Sequence, residues 1–426
     1  MFSLLYLFLI FTSQVLAIPV VTIERSHEAD GGFSIPIIHN YPKNKDPIDS
    51  LRHAYQRYGS IIEAPEERFG LAKRLEEQPR QKDQIQDQST AIVSATPTNL
   101  DVEYWCPVKI GKNTLNLNFD TGSNSLWVFS SVTPADQRGT HNLYFPGISS
   151  LKKNGFTWGI SYADDSKASG VVFMDTVQVG SATVTSQAIQ AATAVTENFV
   201  KNSAVDGLFG LGYARLNSVS PERTETWFAN AMKTLKSSVF TADLRPGAVG
   251  AYTFGYIDPS RYTGSITYQP LHRNSESKGW WIVDAIKGYK IGGEEFSDVE
   301  GSGGGAVLDT GTTLLLMSEK VVKNYYSKVP SSVYDIKRGG WVFPCSSTIP
   351  ELQVPFGDAF AIISPKYMIH TTFTSQSKEL LCFGSLQSLG ETRSHLPYIY
   401  GDSFFKANYV IFDMKNSKVG FATKRS

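Results

Sequence analysis

Asp120 and Asp309 stand in matching surroundings, Phe119-Asp120-Thr121-Gly122-Ser123 and Leu308-Asp309-Thr310-Gly311-Thr312, 189 positions apart. Each ends an apolar run, Leu115, Leu117 and Phe119 before the first and Ala306, Val307 and Leu308 before the second. Ionised carboxylates avoid such surroundings unless they are paired or hydrogen-bonded. Two carboxylates brought within hydrogen-bonding distance cannot both ionise, so one proton is shared between them. The charged member can then deprotonate a water while the protonated member donates to a substrate carbonyl. That is amide hydrolysis by acid–base chemistry, without a covalent intermediate. In this reading Thr121 and Thr310 tie the two turns together, Gly122 and Gly311 form the turns, and Ser123 and Thr312 hold the outer carboxylate oxygens.

The elements that must position the pair repeat as well. Gly210, in Val205-Asp206-Gly207-Leu208-Phe209-Gly210, follows Asp120 at nearly the interval by which Gly401, in Tyr398-Ile399-Tyr400-Gly401, follows Asp309. Glycine at those places lets another backbone approach closely. From Asp101 onward the chain consists of short β-branched and aromatic runs broken by Gly, Asn, Asp and Ser, such as Val108–Ile110, Val171–Val179 and Tyr409–Phe412. Two segments read as helices, Pro221–Leu235 and Ser318–Val329. The expectation is a mostly β protein of two lobes, each giving one Asp to a deep cleft between them.

The 426 residues exceed one ordinary domain, and 41% apolar with 19% charged residues fits a globular chain. Lys+Arg and Asp+Glu both number 40, so no global field draws in nucleic acid or an anionic membrane. Residues 1–17 hold an uncharged apolar run ending Val15-Leu16-Ala17, the pattern of a secretory signal peptide and too short to span a membrane. Residues 18–95 are polar, with one helix expected from Asp46 to Gly59 and a dibasic Lys73-Arg74, and read as a pro-segment. The lobes then run over 96–265 and 266–426. In a secreted chain an even subset of the three cysteines pairs: Cys345 with Cys382 in the second lobe, leaving Cys106 buried and free. No Asn-x-Ser/Thr acceptor, metal-ligand spacing or Cys-x-x-Cys occurs. Gly301-Ser302-Gly303-Gly304-Gly305 lacks the Gly-Lys-Ser/Thr of a phosphate loop and reads as a connector. The reading therefore carries no cofactor or metal, a polypeptide substrate, no membrane anchor, and a secreted monomer.

From about Glu103 to Ala422 the chain resembles the pepsin-family aspartic proteases, nearest in texture to the fungal penicillopepsin and aspergillopepsin type. The resemblance rests on the two Asp-Thr-Gly turns, Leu126-Trp127-Val128-Phe129-Ser130, Asp206-Gly207-Leu208, Tyr262-Thr263-Gly264-Ser265 and Phe412-Asp413. It implies Asp120 and Asp309 as the catalytic pair. It also implies a hairpin flap in the first lobe, Trp158 to Ser166, with Tyr162, Asp164 and Ser166 over the substrate and Tyr162 hydrogen-bonding towards Trp127. Ala163 and Asp165 stand where the family pattern has glycine, and Gly111-Lys112 replaces the Pro-Gln common in animal members. A primary pocket walled by Tyr162, Phe119 or its neighbours, and Leu208 would prefer large apolar side chains. Fungal members with an acidic residue in the place of Asp164 also accept Lys, although Asp164 equally reads as a solvated hairpin tip. Two other readings are a silent binding protein on the same fold, which would have lost an Asp-Thr-Gly turn, and a two-carboxylate glycosidase, which would want its carboxylates farther apart.

Overall fold

The computed structural model describes residues 89–98, 101–148, 150–161, 167–298, 304–375, 378–390 and 397–425. The helix expected at 46–59, the flap residues Tyr162, Asp164 and Ser166, and Gly301 to Gly303 lie outside them. Strands dominate: among the described residues they form a sheet of fourteen strands and three smaller ones of five, four and four. Alternation decides which side chains enter the core. In the strand Tyr104–Ile110, Tyr104, Cys106, Val108 and Ile110 are buried in turn, which is why the Cys106 thiol is buried and unpaired.

Part of the large sheet is woven from three distant stretches of the chain. The strands Tyr262–Pro270, Lys418–Lys424, Asn408–Asp413, Val239–Arg245, Ala248–Phe254 and Ala91–Pro97 lie side by side, every pair antiparallel.

The two Asp-Thr-Gly turns sit in two copies of one arrangement. Asn113–Asp120 runs parallel to Gly207–Gly210, placing Asp120 opposite Gly210, while Leu126–Val128 lies antiparallel on the far side of Gly207–Gly210. Gly305–Leu308 likewise runs parallel to Tyr398–Tyr400, and Leu315–Met317 lies antiparallel on its other side. The returning strand after each turn has a further parallel neighbour, Ala182–Val195 in one copy and Leu386–Ser388 in the other. Gly210 and Gly401 are the tight points. A Cβ on Gly210 would lie 2.5 Å from the Asn124 backbone, and one on Gly401 would meet the carbonyls of Thr312 and Leu314.

The second expected helix forms as Glu319–Ser327, with Ser318 Oγ accepting from the Val321 N–H at 3.3 Å and Val321, Val322, Tyr325 and Tyr326 buried. The first is shorter than its pattern, Trp227–Ala231 capped by Thr226. Asn217 Oδ1 accepts from both the N–H and the hydroxyl of Thr224, at 3.2 Å each, and so takes that backbone out of a helical ladder. Three helices had no periodic signal because each is under two turns: Glu197–Lys201, Ser275–Lys278 and Asp402–Ala407. Cys345 and Cys382 form the expected disulfide, with Cα atoms 5.1 Å apart, beside the paired strands Gly340–Pro344 and Leu380–Gly384.

Candidate active site

Asp120 and Asp309 are both fully buried, as are Thr121, Thr310 and Thr312. Each carboxylate is held the same way by its own turn. The Gly122 N–H donates to Asp120 Oδ1 at 2.9 Å and the Gly311 N–H to Asp309 Oδ1 at 2.9 Å. The Ser123 hydroxyl donates to Asp120 Oδ2, and the Thr312 hydroxyl to Asp309 Oδ2. Across the interface the turns meet closely. A Cβ on Gly122 would lie 2.8 Å from Asp309 Oδ2 and nearer still to Oδ1, so only glycine leaves room for the opposing carboxylate.

Four further hydrogen bonds lock the turns together. The Thr121 N–H donates to Thr310 Oγ1 at 3.1 Å and the Thr310 N–H to Thr121 Oγ1 at 2.9 Å. The two hydroxyls donate onward, Thr121 to the Leu308 carbonyl at 2.8 Å and Thr310 to the Phe119 carbonyl at 2.7 Å. Two tryptophans outside the sequence reading add support. Trp280 Nε1 donates to the Gly122 carbonyl at 3.1 Å, and Trp281 Nε1 donates to the Leu211 carbonyl at 2.9 Å. Nothing in the pair Trp280-Trp281 marks it as more than core; only the fold brings it under the first turn.

A third buried carboxyl lies behind the second turn. The Asp402 N–H donates to the Thr312 carbonyl at 2.7 Å, and neither side-chain oxygen of Asp402 has a hydrogen-bond partner among the described residues. Burial pushes this carboxyl well above the usual range. Lys406 pulls the other way, while Asp309, Glu103 and Asp101 push with burial.

Trp127 is buried in the returning strand, with its ring 6.0 Å from Trp158 and 4.9 Å from Phe199. Its Nε1 has no partner among the described residues. A cavity beside the dyad is lined by Trp127, Phe129, Phe199 and Leu208, with Glu103 and Asn118 among its polar lining and Gly311 bordering it. Leu208 lines this cavity. Of Phe119 and its neighbours, the Phe119 ring stacks on Phe209 at 4.4 Å and packs against Tyr252 and Phe254 in the core. Strand alternation turns its neighbour Asn118 to the cavity instead.

Residues 103–424 match the family model described as eukaryotic aspartyl protease. The chain belongs to that family. Among relatives of this aspartic endopeptidase, the chain is 37% identical to aspartic protease PEP1 of Arthroderma benhamiae, covering 90% of this chain and 92% of that one. It is 38% identical to penicillopepsin-3 of Penicillium janthinellum, over 89% of each chain. It is 41% identical to aspergillopepsin-1 of Aspergillus oryzae, over 79% of this chain and 82% of that one. In fold, the protease is similar to the crystal structure of an aspartic proteinase from Irpex lacteus, with a TM-score of 0.64 and 22% identity over 79% of this chain and 97% of that one. The protein is thus a pepsin-like aspartic endopeptidase acting on polypeptides. No helix among the described residues is long and apolar enough to cross a membrane.

Proposed function

We propose that Asp120 and Asp309 are the catalytic pair of this endopeptidase and activate one water between them at acidic pH. The observation that carries the reading is the closeness of the turns, with the Asp309 carboxylate against Gly122 and the threonines exchanging hydrogen bonds. Each carboxylate keeps one oxygen on a backbone N–H and the other on a hydroxyl, which fixes the orientation of both. One shared proton then makes one Asp the base and the other the acid. Thr121, Gly122, Ser123, Thr310, Gly311 and Thr312 act by holding this geometry.

The chain is made as a secreted zymogen that acts as a monomer, with a signal peptide at 1–17, a pro-segment after it, and two lobes that divide near residue 265. The strand Ala91–Pro97 is paired on both sides, and Ser89 exchanges backbone hydrogen bonds with the 234–236 turn. That pairing favours a maturation cut upstream of Ser89, such as after Arg74, over one at 95.

Tyr162, Asp164 and Ser166 form the flap over the substrate. The Tyr162 phenol hydrogen-bonds towards Trp127, whose buried Nε1 has no partner among the described residues. The apolar cavity wall of Leu208, Phe199 and Phe129 supports a preference for large apolar side chains before the scissile bond, each buried methylene adding about 0.8 kcal/mol. Asp164 adds acceptance of Lys through a charge-assisted hydrogen bond.

The test has three parts. Denatured haemoglobin should be hydrolysed at acidic pH and protected by pepstatin; no acid hydrolysis would overturn the reading. The N-terminus of the active secreted protein should lie between Arg74 and Ser89, and an active chain beginning at Ile18 would overturn the pro-segment. On paired peptides with Phe or Lys before the scissile bond, Asp164→Ser should lose the Lys substrate selectively. Equal effects on both would leave Asp164 a solvated turn residue.

A further inference from the structure

Phe145, Ile148 and Leu151 are large apolar side chains left in water within one short loop. Ile148 is fully exposed, Leu151 69% exposed and Phe145 55% exposed. Such residues are ordinary when scattered singly, but grouped they mark a contact surface. The loop is pinned to the strands beneath it. The Phe145 N–H donates to Asn113 Oδ1 at 2.9 Å, and the buried Tyr144 beside it donates its hydroxyl to Asp175 Oδ2 at 2.9 Å. The Ser150 N–H and hydroxyl both donate to the Gly147 carbonyl, at 3.0 and 2.7 Å, and Leu151 then opens the strand Leu151–Ser161. The apolar side chains are therefore presented by a fixed loop.

The charges around this loop have one sign. The strand Lys167–Val179 carries Lys152 opposite Phe173, takes the Gly111 N–H on its Thr176 carbonyl, and carries Lys109 opposite Gln178. Lys152 and Lys109 thus stand about 17 Å apart along it, with Lys112 in the turn between them and Lys153 next to Lys152. Lys109, Lys112 and Lys152 are exposed, and the Lys153 ammonium lies over the Phe156 ring at 3.8 Å. Among the described residues none of these lysines is ion-paired. The acids of the neighbouring strands, Asp120 and Asp175, are buried, and Asp175 is taken by the Tyr144 hydroxyl and the Thr176 N–H. Lys+Arg and Asp+Glu both number 40 in the whole chain, so this excess is local. The partner it complements is anionic.

We propose that the 145–151 loop and its lysines dock this protease on an anionic lipid bilayer. Phe145, Ile148 and Leu151 enter the boundary between headgroups and acyl chains, while Lys109, Lys112, Lys152 and Lys153 meet the lipid phosphates. Full exposure of Ile148 decides between lipid and a folded partner. A side chain standing clear of the surface needs a pocket shaped for it on a protein, whereas fluid acyl chains close around it. Docking holds the enzyme against a membrane face without spanning it, and the dyad takes no part.

The experiment mixes the mature protein at low salt with vesicles of phosphatidylcholine alone, or of equal parts phosphatidylcholine and phosphatidylglycerol, and reads the bound fraction by co-sedimentation. Binding to the anionic vesicles should be at least about tenfold tighter than to the neutral ones. Ile148→Ser and Phe145→Ser should each weaken it about fivefold, and Lys112→Gln with Lys152→Gln about tenfold. All three variants should keep the parent's unfolding transition and its rate on a short soluble peptide within about twofold. Equal binding to both vesicles, or no binding to either, overturns the proposal. Anionic binding that Ile148→Ser and Phe145→Ser both leave unchanged is diffuse charge attraction and overturns it too. So does an Ile148-dependent dimer that ignores vesicles, which would assign the surface to a second copy. Vesicle binding needs no catalysis, so failure of docking and failure of the hydrolytic reading stay distinguishable.

Discussion

Thr121 and Thr310, 189 residues apart, each donate a backbone N–H to the other's hydroxyl, at 3.1 and 2.9 Å. Their hydroxyls then donate to the carbonyls of Leu308 and Phe119, which immediately precede the two aspartates. All of these groups are buried. Replacing Thr121 with Val keeps the shape but strands the Thr310 N–H and the Leu308 carbonyl, at a cost of about 1–3 kcal/mol. Thr310→Val should cost a similar amount. In chemical denaturation the double variant should lose about the sum of the singles, because the two hydroxyls serve different N–H groups and different carbonyls. A double variant that loses no more than either single would show that one substitution already breaks the whole exchange.

Gly122 gives a sharper geometric test. Ala at this position would drive its Cβ into the Asp309 carboxylate, while the backbone needs no unusual φ to accept it. Gly122→Ala should therefore lower kcat by at least about a hundredfold with a smaller effect on unfolding, since a misplacement of an ångström costs about that much. A variant with near-normal kcat would mean the carboxylates are farther apart than this packing implies.

The repeated turns, their apolar leads and the paired glycines were legible because their spacing is linear in the sequence and their residue types are restrictive. The side-chain roles that depend on two distant strands were not. The sequence leaves open whether Phe119 or a neighbour walls a pocket; stacking on Phe209 turns Phe119 to the core, and Asn118 lines the cavity. Trp280 and Trp281 read as core until the fold brings their indole N–H groups under the first turn. Helix Asp402–Ala407 is too short for a period, yet it carries a buried carboxyl whose own backbone N–H donates to the Thr312 carbonyl of the second turn. The helix expected from Pro221 fails at Thr224 because a side chain seven residues away, Asn217, captures the backbone there.

Asp243 sets the acid limit of the woven sheet. Its buried carboxylate meets Arg261 at 2.9 Å, Arg245 at 3.1 Å and Lys424 at 3.2 Å. Burial pushes the carboxyl up, but Lys424, Arg261 and Arg245 outweigh it and hold it below its ordinary value. A depressed carboxyl contributes its stability above the ordinary carboxylate range and loses it only as pH falls below, so the cluster survives mild acid. Asp243→Asn should cost about 3 kcal/mol near pH 6 by leaving the cations unpaired, with the deficit shrinking towards pH 2. Melting temperatures measured across that range check it, and parallel curves for the two proteins would reject the assignment.

The most direct measurement is the rate of peptide hydrolysis at acidic pH by Asp120→Asn, Asp309→Asn and the double variant, each first checked for a native unfolding transition. If the two carboxylates share one proton and one water, each single change removes either the base or the acid. Each should then lose at least about a thousandfold in kcat, and the double variant should lose little more than either single. A folded Asp309→Asn protein that still cleaves at the parent's rate would contradict the account.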